Sequence, residues 1–114
     1  MHSYKELTRD IGRQLEAFRK GQADVHAGFR AMAAACHSDG ALTNRTKELI
    51  ATAIAVSARC QGCIGFHVKA LKQLGVSREE FLEMLGVAVY MGGGPSLMTA
   101  AEAMQAWDEF SEAA

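Results

Sequence analysis

Apolar residues recur along the chain at steps of three and four, which is the spacing of one face of an α-helix. In the first stretch they are Tyr4, Leu7, Ile11, Leu15 and Phe18. In the second, which ends before residues 38–40, they are Val25, Phe29, Met32 and Cys36. No window alternates apolar and polar residues with period two, so no strand is predicted. The pattern indicates an all-α protein.

Capping residues set the bounds of the middle helices. Thr43 is a candidate N-cap for a third helix that runs to about Arg59. This segment is almost wholly apolar, so we expect it to be the central and most buried helix. A fourth helix should begin between Cys60 and Cys63 and end at Gly75, because glycine suits a left-handed C-terminal cap.

The fifth helix begins with a capping box, Ser77-Arg78-Glu79-Glu80, and ends at Gly92-Gly93-Gly94. Pro95 suits the first position of a sixth helix. The fifth helix has apolar residues all round it: Leu82, Met84, Leu85, Val87, Ala88, Val89, Tyr90 and Met91. A helix of this kind must be buried on several sides, and a small domain offers little interior. We therefore predict a compact six-helix bundle, a single domain over residues 1–114, that assembles as a homo-oligomer.

Composition narrows the function classes. Twelve Lys and Arg residues stand against thirteen Asp and Glu residues. Without a basic field, nucleic acid is not an expected partner. No run of about eighteen apolar residues predicts a membrane span, and no signal-peptide pattern is visible. The chain is therefore expected in the cytoplasm, where its three cysteines should rest reduced and any disulfide should be transient.

The candidate chemistry lies in Cys60-Gln61-Gly62-Cys63-Ile64-Gly65-Phe66-His67, with Glu48 twelve residues before the first cysteine. In a helix, positions 60, 63 and 67 share one face. Helical neighbours three apart have Cβ atoms about 5–6 Å apart, so a small adjustment would join the two sulfurs.

The helix start also favours thiolate chemistry. Cysteines in a first turn lie beside free N–H groups and the positive end of the helix dipole, which lower the pKa of a thiol. His67 could accept the thiol proton, and Glu48 could orient the imidazole or pass the proton on. In an antiparallel hairpin, however, Glu48 lies about 18 Å below Cys60 and His67 only about 10 Å below it. A long side chain, a water, a bend or a crossing angle must close that gap.

Glu48, Cys60, Cys63 and His67 together resemble the signature of the AhpD-like alkylhydroperoxidases, which belong to the carboxymuconolactone decarboxylase family. The similarity extends from about Phe29 to Trp107. One departure is visible, because Gly62 stands where the best-known members carry a histidine.

The resemblance implies an all-helical trimer or hexamer that reduces organic hydroperoxides or serves as a dithiol partner in antioxidant relays. An external dithiol, in some members a lipoamide, restores the thiols. The position of Cys63 is attacked by peroxide, that of Cys60 resolves the sulfenic acid as a disulfide, and those of Glu48 and His67 relay protons. Which cysteine reacts first stays open, since the first sulfur of many CxxC pairs exchanges with partners. Neither a cofactor nor a metal is implied.

Other interpretations compete with this one. The cysteines could be inert core residues, or Cys60, Cys63 and His67 could bind zinc with a fourth ligand from elsewhere. A decarboxylase or lactone-processing enzyme, like the family's namesake, would not need the cysteine pair, and a scaffold would need no chemistry. Outside the pair, Cys36 is expected in the core. The remaining histidines are expected to be solvated or capping residues: His2, His26 and His37.

Overall fold

The computed structural model describes residues 3–112, which form six helices joined by short turns. They are α1 (Tyr4–Gly21), α2 (Ala23–His37), α3 (Asn44–Ser57), α4 (Gln61–Gln73), α5 (Arg78–Gly92) and α6 (Gly94–Ser111). No strand occurs within residues 3–112. The predicted all-α architecture is confirmed.

The predicted caps set these bounds. The Thr43 hydroxyl accepts a hydrogen bond from the Thr46 amide at the start of α3. Ser77 and Glu80 form the full capping box at the start of α5. Gly93 has a φ of 73° and separates α5 from α6, so Pro95 is the second residue of α6 rather than the first.

The core lies where α3, α4, α5 and α6 contact one another. Its largest fully buried apolar side chains include Phe81, Ile64, Leu71 and Val56. The expectation that α3 is the most buried helix is wrong, because Ile50 and Ile54 on α3 are exposed. Its position is nevertheless central, since it contacts α2, α4, α5 and α6.

A glycine sets how closely α1 approaches α4. A Cβ atom on Gly65 would lie 2.5 Å from the Thr8 Cγ2 atom and 3.4 Å from the Tyr4 ring. Both α1 residues are buried, so neither has free space in which to move. The close contact brings α1 directly against α4.

Helices α2 and α5 both carry solvent-exposed apolar residues. On α2 no residue is buried, and Phe29 is 66% exposed. The expectation that Cys36 lies in the core is therefore wrong: α2 contacts only α1 and α3, and Cys36 is exposed. On α5 the outer face leaves Tyr90 85% and Met91 75% exposed. That a second copy covers this face stays a prediction.

Candidate functional site

The turn between α3 and α4 positions the cysteine pair. Arg59 adopts a left-handed conformation with a φ of 57°, and the Cys60 amide donates to the Ala55 carbonyl across 3.1 Å. This turn makes Cys60 the N-cap of α4 rather than a member of the helix. The Cys60 sulfur accepts a hydrogen bond of 3.2 Å from the Cys63 amide. One sulfur of the pair thus lies directly at the free N–H groups of the helix start.

Cys60 and Cys63 are joined in a disulfide, with their Cα atoms 5.2 Å apart. Cys63 is an exposed residue and Cys60 is partly buried, while Cys36 is a free thiol. The second cysteine of the pair is therefore the one that faces solvent more openly. The close spacing expected for positions 60 and 63 is observed.

Glu48 reaches the imidazole of His67 directly, without a bridging group. Its Oε2 atom lies 2.8 Å from the Nδ1 atom of His67. Glu48 is only 3% exposed, although it carries a carboxylate. The offset between Glu48 and His67 that was expected for an antiparallel pair of helices is therefore spanned by the Glu48 side chain alone. The buried carboxylate holds the His67 ring one helical turn after Cys63.

A second histidine, His37, contacts the same carboxylate. Its Nε2 atom lies 2.7 Å from Oε1 of Glu48, and its Nδ1 atom lies 2.6 Å from the Ala33 carbonyl oxygen. The sequence placed His37 among the solvated or capping residues. It does bond a carbonyl in the last turn of α2 and is half-exposed, but its contact with Glu48 was missed. The only available signal was its position at the end of α2, eleven residues before Glu48.

The Ala33 carbonyl and then the Glu48 carboxylate raise the pKa of His37 above its ordinary value, because both accept hydrogen bonds from the protonated ring. Partial burial and the positive charge of Lys47 act in the opposite direction. His37 is thus held toward its charged form beside the buried carboxyl group of Glu48.

The disulfide opens onto a groove of about 590 Å³ between α2 and the start of α4. Cys60, Cys63 and His67 lie at one part of its wall. The rest of the wall is mostly apolar: Phe29, Met32, Ala33, Cys36, Ala51, Ile54, Ala55 and Ala58. Three exposed apolar residues of α2 and α3 therefore lie together beside the sulfurs: Phe29, Met32 and Ile54.

Gly62 packs against the end of the Ile11 side chain on α1. A Cβ atom there would lie 2.8 Å from the Cδ1 atom of Ile11 on α1. A larger residue at this position would require the end of the Ile11 side chain to move.

The remaining candidates lie elsewhere. His26 is partly buried and lines a separate surface depression with Arg19 and Asp24. His2 lies outside the described residues.

Within residues 3–112 no three His, Cys, Asp or Glu side chains are arranged to hold a metal ion. Among the six helices of this part of the chain, none is both long and apolar enough to cross a membrane.

Comparison with known proteins places this geometry in a family. A sequence profile of the carboxymuconolactone decarboxylase family matches residues 23–106. An uncharacterised protein of Cupriavidus necator is 35% identical over 104 residues, covering 91% of this chain and 92% of that protein. Protein 4 of the cox locus of Paracoccus denitrificans, also uncharacterised, is 37% identical over 98 residues, or 86% of this chain and 87% of its own.

Solved structures agree with the sequence relatives. A carboxymuconolactone decarboxylase family protein of Legionella pneumophila superposes with a TM-score of 0.93 at 55% identity, covering 96% of this chain and 97% of its own. A Thermotoga maritima member, for which a role in the antioxidative response has been suggested, superposes with a TM-score of 0.82 at 26% identity. That alignment covers 91% of this chain and 89% of the other.

Proposed function

Because this chain belongs to the carboxymuconolactone decarboxylase family, we propose that it is a thiol-dependent hydroperoxide reductase, or more broadly a dithiol–disulfide oxidoreductase, of the AhpD-like kind. One observation carries the proposal. The disulfide of Cys60 and Cys63 begins α4, one turn before an imidazole that Glu48 holds. This arrangement unites a redox pair, a base and a group that orients the base.

The oxidative half-reaction starts from the reduced pair. His67 takes the proton of the Cys63 thiol, and the thiolate attacks the distal oxygen of the hydroperoxide. The O–O bond breaks, Cys63 becomes a sulfenic acid, and the departing alkoxide receives the proton from His67. The Cys60 thiol then condenses with the sulfenic acid, which forms the disulfide and releases water. One hydroperoxide is reduced to an alcohol and two thiols are oxidised to one disulfide.

The reductive half-reaction uses an external dithiol, of lipoamide type or carried by a redox protein. Its thiolate attacks the exposed Cys63 sulfur, and Cys60 leaves as a thiolate. The amide of Cys63, which donates to the Cys60 sulfur, stabilises that leaving group. The second thiol of the reductant then resolves the mixed disulfide, and both cysteines regain their protons.

The groove supports an organic substrate. Its walls are mostly apolar where they approach the sulfurs, which suits an alkyl hydroperoxide better than hydrogen peroxide. We further propose an antioxidant role for this chemistry, in the cytoplasm. We also propose that the protein acts as a homo-oligomer, with the exposed face of α5 covered by another copy.

The test is intact mass with peptide mapping of the reduced protein, before and after one equivalent of cumene hydroperoxide. We expect a chain two hydrogens lighter, with Cys60 joined to Cys63 and Cys36 still free. Cys63→Ser should abolish the reaction with peroxide, and Cys60→Ser should leave Cys63 as a sulfenic acid. Cys36→Ser is the matched control and should react like the unaltered protein.

An unchanged mass with both thiols free would contradict the proposal. Decarboxylation, the activity that gives the family its name, would then be assayed. A decarboxylase would retain its activity after replacement of both cysteines, whereas a thiol peroxidase would lose it.

A further inference from the structure

The buried carboxylate of Glu48 has two imidazole partners from different helices. Its Oε2 atom contacts Nδ1 of His67 on α4, and its Oε1 atom contacts Nε2 of His37 on α2. The proposed reaction uses only His67. His37 has no task in it, although its contact with Glu48, at 2.7 Å, is as short as that of His67.

The two hydrogen bonds of the His37 ring require a proton between His37 and Glu48. A carbonyl oxygen can only accept, so Nδ1 of His37, 2.6 Å from the Ala33 oxygen, must carry a hydrogen. The second contact needs one hydrogen too. Either His37 is an imidazolium that donates to a carboxylate, or a protonated Glu48 donates to a neutral His37. In both cases the pair is neutral overall, and the negative charge of Glu48 is balanced.

This proton fixes the tautomer of His67. With the proton held between His37 and the Oε1 atom, the Oε2 atom of Glu48 has only lone pairs to offer. Nδ1 of His67 must therefore carry a hydrogen and donate it to Oε2. A neutral imidazole has one N–H, so the lone pair of His67 lies on Nε2. That nitrogen is then available to take a thiol proton.

We propose that His37 is a positioning residue of the redox site, which holds a proton against Glu48 and thereby keeps His67 neutral with a basic Nε2 atom. The charged groups that act on His37 are Glu48 and Lys47, both on α3. From α4, His67 faces the same carboxylate. Glu48 attracts the shared proton and Lys47 repels it, and the hydrogen bonds of His37 to Ala33 and Glu48 hold the proton in place. The proposal rests on the proposed function for the identity of the reacting thiols.

The test compares His37→Gln with His26→Gln, the same change at the other described histidine of α2. Glutamine can still donate to Glu48 but carries no proton to balance its charge. His67 alone must then balance Glu48, so it keeps a second proton to higher pH, and the positive charge of its imidazolium favours the thiolate of Cys63.

The readout is the rate at which iodoacetamide alkylates Cys63 in the reduced protein, followed against pH by peptide mapping. In His37→Gln we expect the midpoint to move downward by about one pH unit, the size of shift that a neighbouring charge produces. His26→Gln should keep the midpoint of the unaltered protein. A His37→Gln profile that coincides with that of the unaltered protein would overturn the proposal, because a purely structural hydrogen bond is retained in this variant.

A second measurement needs no variant. Ring ¹⁵N chemical shifts of the unaltered protein at neutral pH should show His67 protonated on Nδ1 alone and His37 protonated on Nδ1. A neutral His67 with its hydrogen on Nε2 would refute the proposal.

Neither readout uses a hydroperoxide, so the two proposals fail separately. A shifted alkylation profile in a protein whose thiols ignore hydroperoxide would remove the peroxidase function and leave the role of His37 intact. Oxidation by hydroperoxide together with an unshifted profile would remove only the role of His37.

Discussion

The turns at the two ends of α4 share a backbone geometry and differ in the residues that form it. Before α4, Arg59 is left-handed and the Cys60 amide donates to the Ala55 carbonyl. After α4, Gly75 is left-handed with a φ of 74°, and the Val76 amide donates to the Leu71 carbonyl. Both are Schellman motifs, in which a left-handed residue ends one helix and the chain turns toward the next.

The residue choices at the second turn all favour stability. Glycine carries no Cβ penalty in the left-handed region, Val76 is buried, and Ser77 caps α5 with an oxygen. The Glu80 carboxylate completes the capping box and pairs with Arg45 of α3. This end of α4 follows the residue preferences of helix termini throughout.

The first turn departs from those preferences. A left-handed arginine costs free energy that glycine would not, and a cysteine sulfur is a weak acceptor for an N-cap. Departures of this kind concentrate at functional sites, where a side chain is kept for its chemistry. The residues at the N-terminal end of α4 thus favour the proposed thiol chemistry over local stability, whereas those at the C-terminal end favour stability.

The largest expected effect comes from removing the charge of Glu48. In Glu48→Gln the amide cannot accept from both histidines, so His67 loses its fixed tautomer. We expect the rate of thiol oxidation by cumene hydroperoxide at neutral pH to fall by about a hundredfold, as for the loss of a general base. Stopped-flow oxidation of the reduced protein would measure it. Glu80→Gln, the same change at the other end of α4, should leave the rate unchanged, and equal rates in both variants would contradict the assignment.

A smaller effect is expected from Gly75→Ala. An alanine held at a φ of 74° should lower the free energy of unfolding by about 1–2 kcal/mol, because its Cβ meets the backbone in the left-handed region. Gly28→Ala is the control: Gly28 is inside α2 with open space around it, so alanine there should stabilise by about 0.5–1 kcal/mol. Urea unfolding measures both. Changes of the same sign would show that backbone conformation does not set the stability of this turn.

The smallest effect is expected from Arg59→Gly, which gives the first turn the left-handed glycine that the second turn already has. Relief of the left-handed side chain should raise the free energy of unfolding by roughly 0.5 kcal/mol, since the less ordered unfolded chain offsets part of the gain. Arg30→Gly inside α2 should lower it by about 1 kcal/mol. Both are measured by urea unfolding, with thiol oxidation as the check on the site. A less stable Arg59→Gly variant would mean that Arg59 makes contacts worth more than its strain.

Signals within a few residues of one another were sufficient to predict the helices and, within the site, the cysteine pair. Caps at Thr43 and Ser77 and the glycines at 75 and 93 act within a few residues, so their positions could be predicted from neighbours along the chain. The spacing of Cys60 and Cys63 is likewise local. Burial was harder to predict, because the apolar face of α2 that contains Cys36 lines a groove instead of packing into the core.

The six helices, their caps and the cysteine pair at the start of α4 could be predicted from neighbouring residues, since each depends on contacts within one or two helical turns. Which side chains meet at Glu48 depends instead on tertiary packing. That meeting depends on how α2, α3 and α4 pack, and it brings together residues eleven and nineteen positions apart. A buried carboxylate needs partners wherever the fold can supply them, and here the fold supplies His67 from one side and His37 from the other.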